Sequence, residues 1–424
     1  KDHIFMTGFI SRRRLAALFG GLASVTLAGP AWADPAPPFA LLLKQAEQSP
    51  RLQELAADVD RATGLSEQAR ARPNPSVSVY AENFAGSSPY VGFDRTETTL
   101  QYSQPFELRG KRSARIAAGE AGVTAARARG LQGRVAFAYD LARAYAAIEL
   151  ADRRIAIAED EVEEGEADLK LARALVEAGK EARLRALQAE TELNAARAVL
   201  ESTRAARTAA LARLSALAGV ETPFTGISDS LLDPPQSRAA YGPVDPLRTT
   251  GYLAALADRE AAAKRAASER KRAMPDITGQ IGVRRLDQDR ATALVAGVSL
   301  PLRLFDRNRG NIAAADADAR GADARAAAAR LEAAANVRSA VALAEAADAR
   351  VSAAARTMAT AEETYRLARI AYEAGKSPLS ELLVARHGLG LARGVVADAA
   401  AARFDARAQL ASLNGMAITG DPVQ

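Results

Sequence analysis

The chain has 424 residues, with 56 Lys and Arg against 51 Asp and Glu for a net charge of +5, and no Cys. The absence of Cys excludes disulfides, thiolate metal sites and cysteine nucleophiles. Aromatic residues supply only 5% of the chain, while alanine makes up roughly a quarter of it, far above average usage. Alanine is the best helix former and fills little volume, so long helices packed close together are expected rather than a wide core.

The N-terminus reads as a secretory signal peptide over 1–33. Arg12, Arg13 and Arg14 precede an apolar stretch from Leu15 to Ala28, and Ala31-Trp32-Ala33 offers a small-residue cleavage site before Asp34. Met6 is the expected natural start, with Lys1–Phe5 an upstream extension. Cleavage lowers the net charge to about +2, which removes the case for a nucleic-acid partner. With no Cys, lipid attachment at that residue is also excluded. No later segment approaches ~20 consecutive apolar residues, so no transmembrane helix is expected.

The mature chain repeats itself at an offset of 196 residues. Leu171-Ala172-Arg173 and Glu177-Ala178-Gly179-Lys180 return as Leu367-Ala368-Arg369 and Glu373-Ala374-Gly375-Lys376. The same offset carries Pro105 onto Pro301 and Gly219 onto Gly415. Repeats this long are whole structural halves, not small solenoid units. The halves are placed at 34–220 and 247–415, with a connector over 221–246 and a tail over 416–424.

Each half opens with a helical stretch, Phe39–Ala71 or Pro246–Ala273, that ends at a proline break. Two alternating segments follow, 76–84 and 95–104 in the first half, 277–286 and 291–300 in the second. Ile277, Ile281 and Val283 share one face of the third segment, and Thr278, Gln280 and Arg284 share the other. Period-two stretches of about ten residues between turn signals suit transmembrane β-strands; a soluble hairpin between helices is the alternative. Pro105 and Pro301 mark the strand-to-helix junctions.

The longest helical patterns run from Gly110 to Ala178 and from Asp306 to Ala374, each spanning roughly 100 Å at 1.5 Å per residue. Tip turns at 179–180 and 375–376 send the chain back as shorter helices that end at Gly219 and Gly415. Each long helix can be matched by two shorter ones laid end to end. The connector is rich in proline and lies outside the helical body or acts as a flexible linker; Phe224, Ile227, Leu231 and Leu232 favour packing.

This layout resembles the TolC-like outer-membrane factors over the whole mature chain. The stretch Ala374-Gly375-Lys376-Ser377-Pro378-Leu379-Ser380-Glu381-Leu382-Leu383 is similar to the family's tip, and Glu107-Leu108-Arg109-Gly110-Lys111-Arg112 is similar to its cobalt-zinc-cadmium efflux branch. The resemblance implies a mainly α chain with a transmembrane β-barrel part. A homotrimer would give four strands per chain to a shared 12-stranded barrel in outer-membrane lipid, with a long α-helical barrel in the periplasm. It further implies a periplasmic adaptor protein and an inner-membrane pump of the RND type as partners, and an exit duct for divalent heavy-metal cations. Drug export, type I protein secretion and a soluble periplasmic coiled-coil protein are the rival functions.

No catalytic arrangement or cofactor motif is present, so neither an enzyme nor a cofactor is expected. His387 is the only His after Asp34 and suits an ordinary helix position. The acidic run Glu159-Asp160-Glu161 with Glu163-Glu164 is a solvated face or a cation path. By the family's motif, Gly179, Lys180, Gly375 and Lys376 form the tip turns. Leu184, Leu187, Leu379 and Leu382 offer an apolar ridge to the adaptor. Glu381 matches an acidic gate position that would attract cations. Val384 stands where the family often has a second acid, and Arg185 is the first-half equivalent of Glu381. Arg185 and Glu381 are therefore the gate candidates, as a lock or as ordinary surface charges.

Overall fold

In the computed structural model, residues 34–233, 244–374 and 376–423 are described. The signal peptide, part of the connector and Gly375 lie outside them. The chain order is α1 (Phe39–Gln45), α2 (Pro50–Arg70), β1 (Ser76–Glu82), β2 (Glu97–Phe106), α3 (Lys111–Glu177) and α4 (Arg183–Ala218). The second half follows with α5 (Thr250–Arg272), β3 (Ile277–Leu286), β4 (Ala291–Ser299), α6 (Arg309–Glu373) and α7 (Leu379–Leu413).

The helix expected over Phe39–Ala71 is interrupted. A 3-10 turn at Ala46–Gln48 follows α1, and Ser49 is extended because Pro50 follows it. A residue before proline is driven out of the helical region, while proline itself suits the first position of the next helix. The expected helix from Pro246 likewise begins with a 3-10 turn at Pro246–Arg248, and α5 starts at Thr250.

At 67 and 65 residues, α3 and α6 each extend about 100 Å. The shorter helices are laid end to end beside them. Gly219, with φ 75°, closes α4 directly against Ser49 and Pro50 at the start of α2. Gly415, with φ 72°, closes α7 against Thr250 at the start of α5. The left-handed conformation is open to glycine without a Cβ clash, which is why both repeats carry it there. α2 runs antiparallel along α3, with Gly133 against Leu55 and Gly119 against Ser66. α3 is the central member, packing against α2, α4, α5 and α7, while α6 packs against α5 and α7.

The sheet is antiparallel in the order β1-β2-β3-β4, so β1 and β4 are its open edges. Its register places Val79, Leu100, Val283 and Leu294 in one row across the four strands. Those four side chains are exposed, as are Val77, Tyr102 and Ile281 in the next row. The opposite face is polar, with Arg284 donating to Thr99 at 2.9 Å and pairing with Glu97 and Glu82 at 2.8 and 3.2 Å. β2 runs past the expected end at Gln104 to Phe106, with Pro105 opposite Thr278. β1 has already stopped opposite Ser103, so this stretch of β2 has a neighbour on one side only, where proline is tolerated. β1 ends at Glu82 and β4 at Ser299, short of the expected 84 and 300.

The main apolar core lies midway along the helices, where Phe39, Leu42, Leu141, Tyr145, Ile148 and Leu214 meet Leu231 and Leu232 of the connector. Phe39 and Tyr145 pack edge to face at 5.9 Å. The Tyr145 hydroxyl accepts from the backbone N–H groups of Ser228 and Asp229 at 3.2 and 3.0 Å. Glu149, buried one helical turn away, accepts from the backbone N–H groups of Leu231 and Leu232 at 2.8 and 3.0 Å and from the Ser230 hydroxyl at 2.7 Å. The connector is thus fastened to α3. The tail also folds back, with Val423 donating to the Gly415 carbonyl. No described helix is long and apolar enough to cross a membrane.

Glu149→Ala strands two backbone donors beneath the connector. A loss of roughly 3 kcal/mol of stability is expected, with faster protease cleavage within residues 221–233, both measurable against the parent chain. Unchanged cleavage would show that the clamp does not hold the connector.

Candidate functional site at the helical tips and the seam between halves

The two hairpins share one backbone hydrogen bond where the long helices end. Gly179 has φ 65°; its N–H donates to the Val176 carbonyl at 3.0 Å, and the Lys180 N–H donates to Leu175 at 2.9 Å. In the second hairpin the Lys376 N–H donates to Ala371 at 2.8 Å, the equivalent bond. These bonds satisfy the last carbonyls of α3 and α6 and reverse the chain within a few residues. Gly375 itself and the side chain of Leu379 fall outside the described residues.

The return helices present mixed surfaces. Leu184 and Leu187 are exposed and Leu382 is half-buried, with a small cluster of Leu169, Ala172, Ala189 and Leu193 behind them. Glu381 is exposed in the first turn of α7. Arg185 is exposed and donates to Gln188 at 3.2 Å. The two gate candidates are not brought together within one protomer. Pro105 and Pro301 sit at the far end of the molecule's helices, where β2 and β4 hand over to α3 and α6.

The acidic run of α3 is largely exposed, and Glu159, Asp160 and Glu164 in it pair with basic side chains of the neighbouring helices. Toward α4, Asp152 meets Arg207 at 2.5 Å, Glu159 meets Arg204 at 2.9 Å and Glu166 meets Arg197 at 2.7 Å. Toward α7, Asp160 meets Arg393 at 3.0 Å, and further from the tip Arg154 meets Asp398 at 2.8 Å. Arg143 meets Asp405 at 2.9 Å, where the Tyr139 hydroxyl also donates to Asp405. Burial, reinforced by that carboxylate, pushes the Tyr139 hydroxyl up to about 12.

Most of these pairs are exposed, and each contributes little. The one nearest the tip between α3 and α7 differs. The Arg386 side chain, 17% exposed, lies between Glu164 at 3.4 Å and Asp168, with which it forms a closer ion pair. Burial lowers the Arg386 pKa from its ordinary value, against the opposing pull of Glu164 and Glu161. Burial also raises the Glu164 carboxyl above the usual range, outweighing Arg386 and Arg393. A groove of about 520 Å³ opens beside this cluster, lined by Glu161, Glu192, His387 and Gly390 among others. Among the described residues, no group of three or more His, Cys, Asp or Glu is placed to hold a metal ion.

Arg386 and Arg393 were not singled out from the sequence. Their signal was present in the spacing: Asp160, Glu164 and Asp168 recur every four residues on α3, and Arg386 and Arg393 are seven apart on α7. Residues at these intervals share a helix face, so one acidic stripe and one basic stripe were available to match.

The geometry can be set beside known proteins. The profile of the family described as "Outer membrane efflux protein" matches residues 41–220 and 252–416. The nickel-cobalt-cadmium resistance protein NccC of Alcaligenes xylosoxydans xylosoxydans is 41% identical over 93% of this chain and 90% of its own length. The nickel and cobalt resistance protein CnrC of Cupriavidus metallidurans is 42% identical over 73% of each chain. Among solved structures, the outer membrane protein VceC of Vibrio cholerae aligns with a TM-score of 0.72 at 21% identity, covering 89% of this chain and 96% of its own.

Two outcomes follow for the seam. Arg386→Ala leaves the half-buried Asp168 without its cation, and opening of the first turns of α7 should become easier by about 2 kcal/mol. Amide hydrogen exchange over residues 380–390 measures this, and unchanged protection there would contradict it. Because the folded pKa of Glu164 is raised, its contribution is full below the unfolded carboxylate value and declines as pH rises through the folded one. Glu164→Gln should therefore remove a fall in thermal midpoint between about pH 4.5 and neutrality. A parallel decline in parent and variant would show that Glu164 does not carry it.

Proposed function

The chain belongs to the outer membrane efflux protein family, and from that premise we propose that it is the outer-membrane exit duct of a tripartite efflux system whose cargo is divalent heavy-metal cations. The observation that carries the duct is the sheet: an exposed apolar face and a polar face on four strands that lead directly into helices of 67 and 65 residues. Four strands cannot close a barrel, and lipid does not tolerate unpaired edges. Three copies side by side give twelve strands, with β4 of one protomer antiparallel to β1 of the next. The apolar rows then face lipid, while the Arg284 face lines a water-filled interior.

Below the membrane the same closure continues as a helical tube. α6 has a free flank beside α5 and α7, and α2 with α4 has one beside α3. Small alanine side chains on these helices favour close neighbours. The tube projects into the periplasm, where the tips around Gly179, Lys180 and Lys376, with Leu184, Leu187 and Leu382, meet the adaptor of an inner-membrane RND pump. The duct supplies no energy and no chemistry of its own. The cargo class rests on the nickel, cobalt and cadmium named for its relatives.

Glu381, exposed and without an ion pair among the described residues, would form a three-fold acidic ring at the mouth and draw cations by Coulomb attraction. In planar-bilayer recordings, Glu381→Gln should shift the reversal potential toward zero in a salt gradient; an unchanged potential would remove the ring. A strain lacking the gene should lose growth on nickel, cobalt or cadmium. Loss of drug tolerance alone would reassign the cargo.

A further inference from the structure

All four strand-to-helix junctions lie at one end of the sheet, because the hairpin turns at 83–96 and 287–290 occupy the other. The junctions are tied into one body. Lys111 pairs with Asp276 at 2.7 Å, Arg112 donates to the Arg70 carbonyl at 2.7 Å, and Asn308 donates to the Glu269 carbonyl at 3.0 Å. Arg115 donates to the Ala69 and Ala71 carbonyls and pairs with Glu107.

Two features remain on the surface of this end. β4 exposes Leu294 and Val298, and in the irregular segment after it the alternate residues Leu300, Leu302 and Leu304 are exposed as well. Phe305 beside them is 98% exposed. At the same end of the sheet are Arg72, Arg109, Lys271, Arg303, Arg307 and Arg309, none of which meets a carboxylate among the described residues. At the opposite end the balance is reversed. Glu82, Asp94, Glu97, Asp287 and Asp289 outnumber the local cations, and Arg284 and Arg285 there are already paired.

We propose that the junction end, Leu300 to Arg309 with Arg72, Arg109 and Lys271, is a docking belt for anionic phospholipid headgroups of the periplasmic leaflet. The inference rests on the membrane-spanning sheet proposed above. The leucines and Phe305 continue the lipid-facing band to the depth where acyl chains end, and the unpaired cations then meet phosphate groups at the level of the headgroups. Guanidinium groups bind phosphate through paired N–H donors, and basic clusters beside a spanning segment add attraction to anionic lipid roughly in proportion to their number. The charge asymmetry between the two ends also fixes which way the sheet inserts.

The test uses the full chain in its assembled state, extracted in detergent and examined by native mass spectrometry. Phosphatidylglycerol, phosphatidylcholine and inorganic phosphate are added separately. The parent should retain phosphatidylglycerol in preference to phosphatidylcholine and should not retain inorganic phosphate. The triple variant Arg303→Gln, Arg307→Gln, Arg309→Gln should fall to the phosphatidylcholine level, and each single variant should lose about fivefold. The single variants keep the test decisive if the triple variant assembles poorly. Insertion into phosphatidylethanolamine vesicles is followed in parallel as conductance. A parent that inserts yet shows no preference for phosphatidylglycerol, or a variant that keeps it, overturns the belt and assigns Leu302 and Phe305 to contact with a neighbouring copy. A parent that inserts into no vesicle overturns the membrane-spanning sheet itself.

Discussion

An antiparallel sheet with apolar side chains on one face and two unpaired edges cannot exist alone in lipid. That constraint governs the rest of the molecule. Every backbone donor and acceptor along β1 and β4 needs a partner where water supplies none, and the only sheet available is another copy of this one. Closure in turn dictates the helices. Each chain must present the same two flanks to its neighbours over some 100 Å, and a wall one helix thick has water on both sides. This accounts for a chain rich in alanine but poor in aromatics, with its main cluster of large side chains where Phe39, Tyr145, Leu214 and the connector meet.

Within a chain, α3 holds the two halves together. Its acidic side chains pair with α4 on one side and α7 on the other, so part of the exposed run also bridges helices. Midway along α3 the fastening is supplemented by Tyr139 and Asp405. Near the tip it narrows to the Arg386 cluster, the most enclosed of the pairs toward α7. Ion pairs suit this place because a thin wall has little apolar surface to bury, and because pairs can separate and re-form without a cavity being left.

Much of this was legible in the residues. The 196-residue offset located both closing glycines, Gly219 and Gly415, since each adopts the left-handed conformation that favours glycine. Strand alternation at Ile281 and Val283 identified the apolar face correctly. The break at Ser49-Pro50 was missed because the apolar pattern on either side suggested one helix, although proline at a helix start was its signal. Continuation of β2 through Pro105 depended on where β1 stops, which is a property of pairing and not of either strand alone. The partners of the acidic run were hidden for the same reason: Arg386 and Arg393 lie more than 200 residues away from it. Glu381 and Arg185 remain separate within one chain, and their roles depend on how copies assemble.

Closure of the sheet by neighbouring copies is tested most directly at its edges. The chain has no native Cys, so one cysteine placed within Ser76–Glu82 and one within Ala291–Ser299 report on each other alone. Disulfides form only when Cα atoms come within about 7 Å, a distance that β1 and β4 of one chain, separated by two strands, do not meet. Across a panel of such pairs in the native membrane, closure predicts matched registers that yield a covalent ladder ending at three chains. Monomers at every register, or a ladder that continues past three, would contradict it.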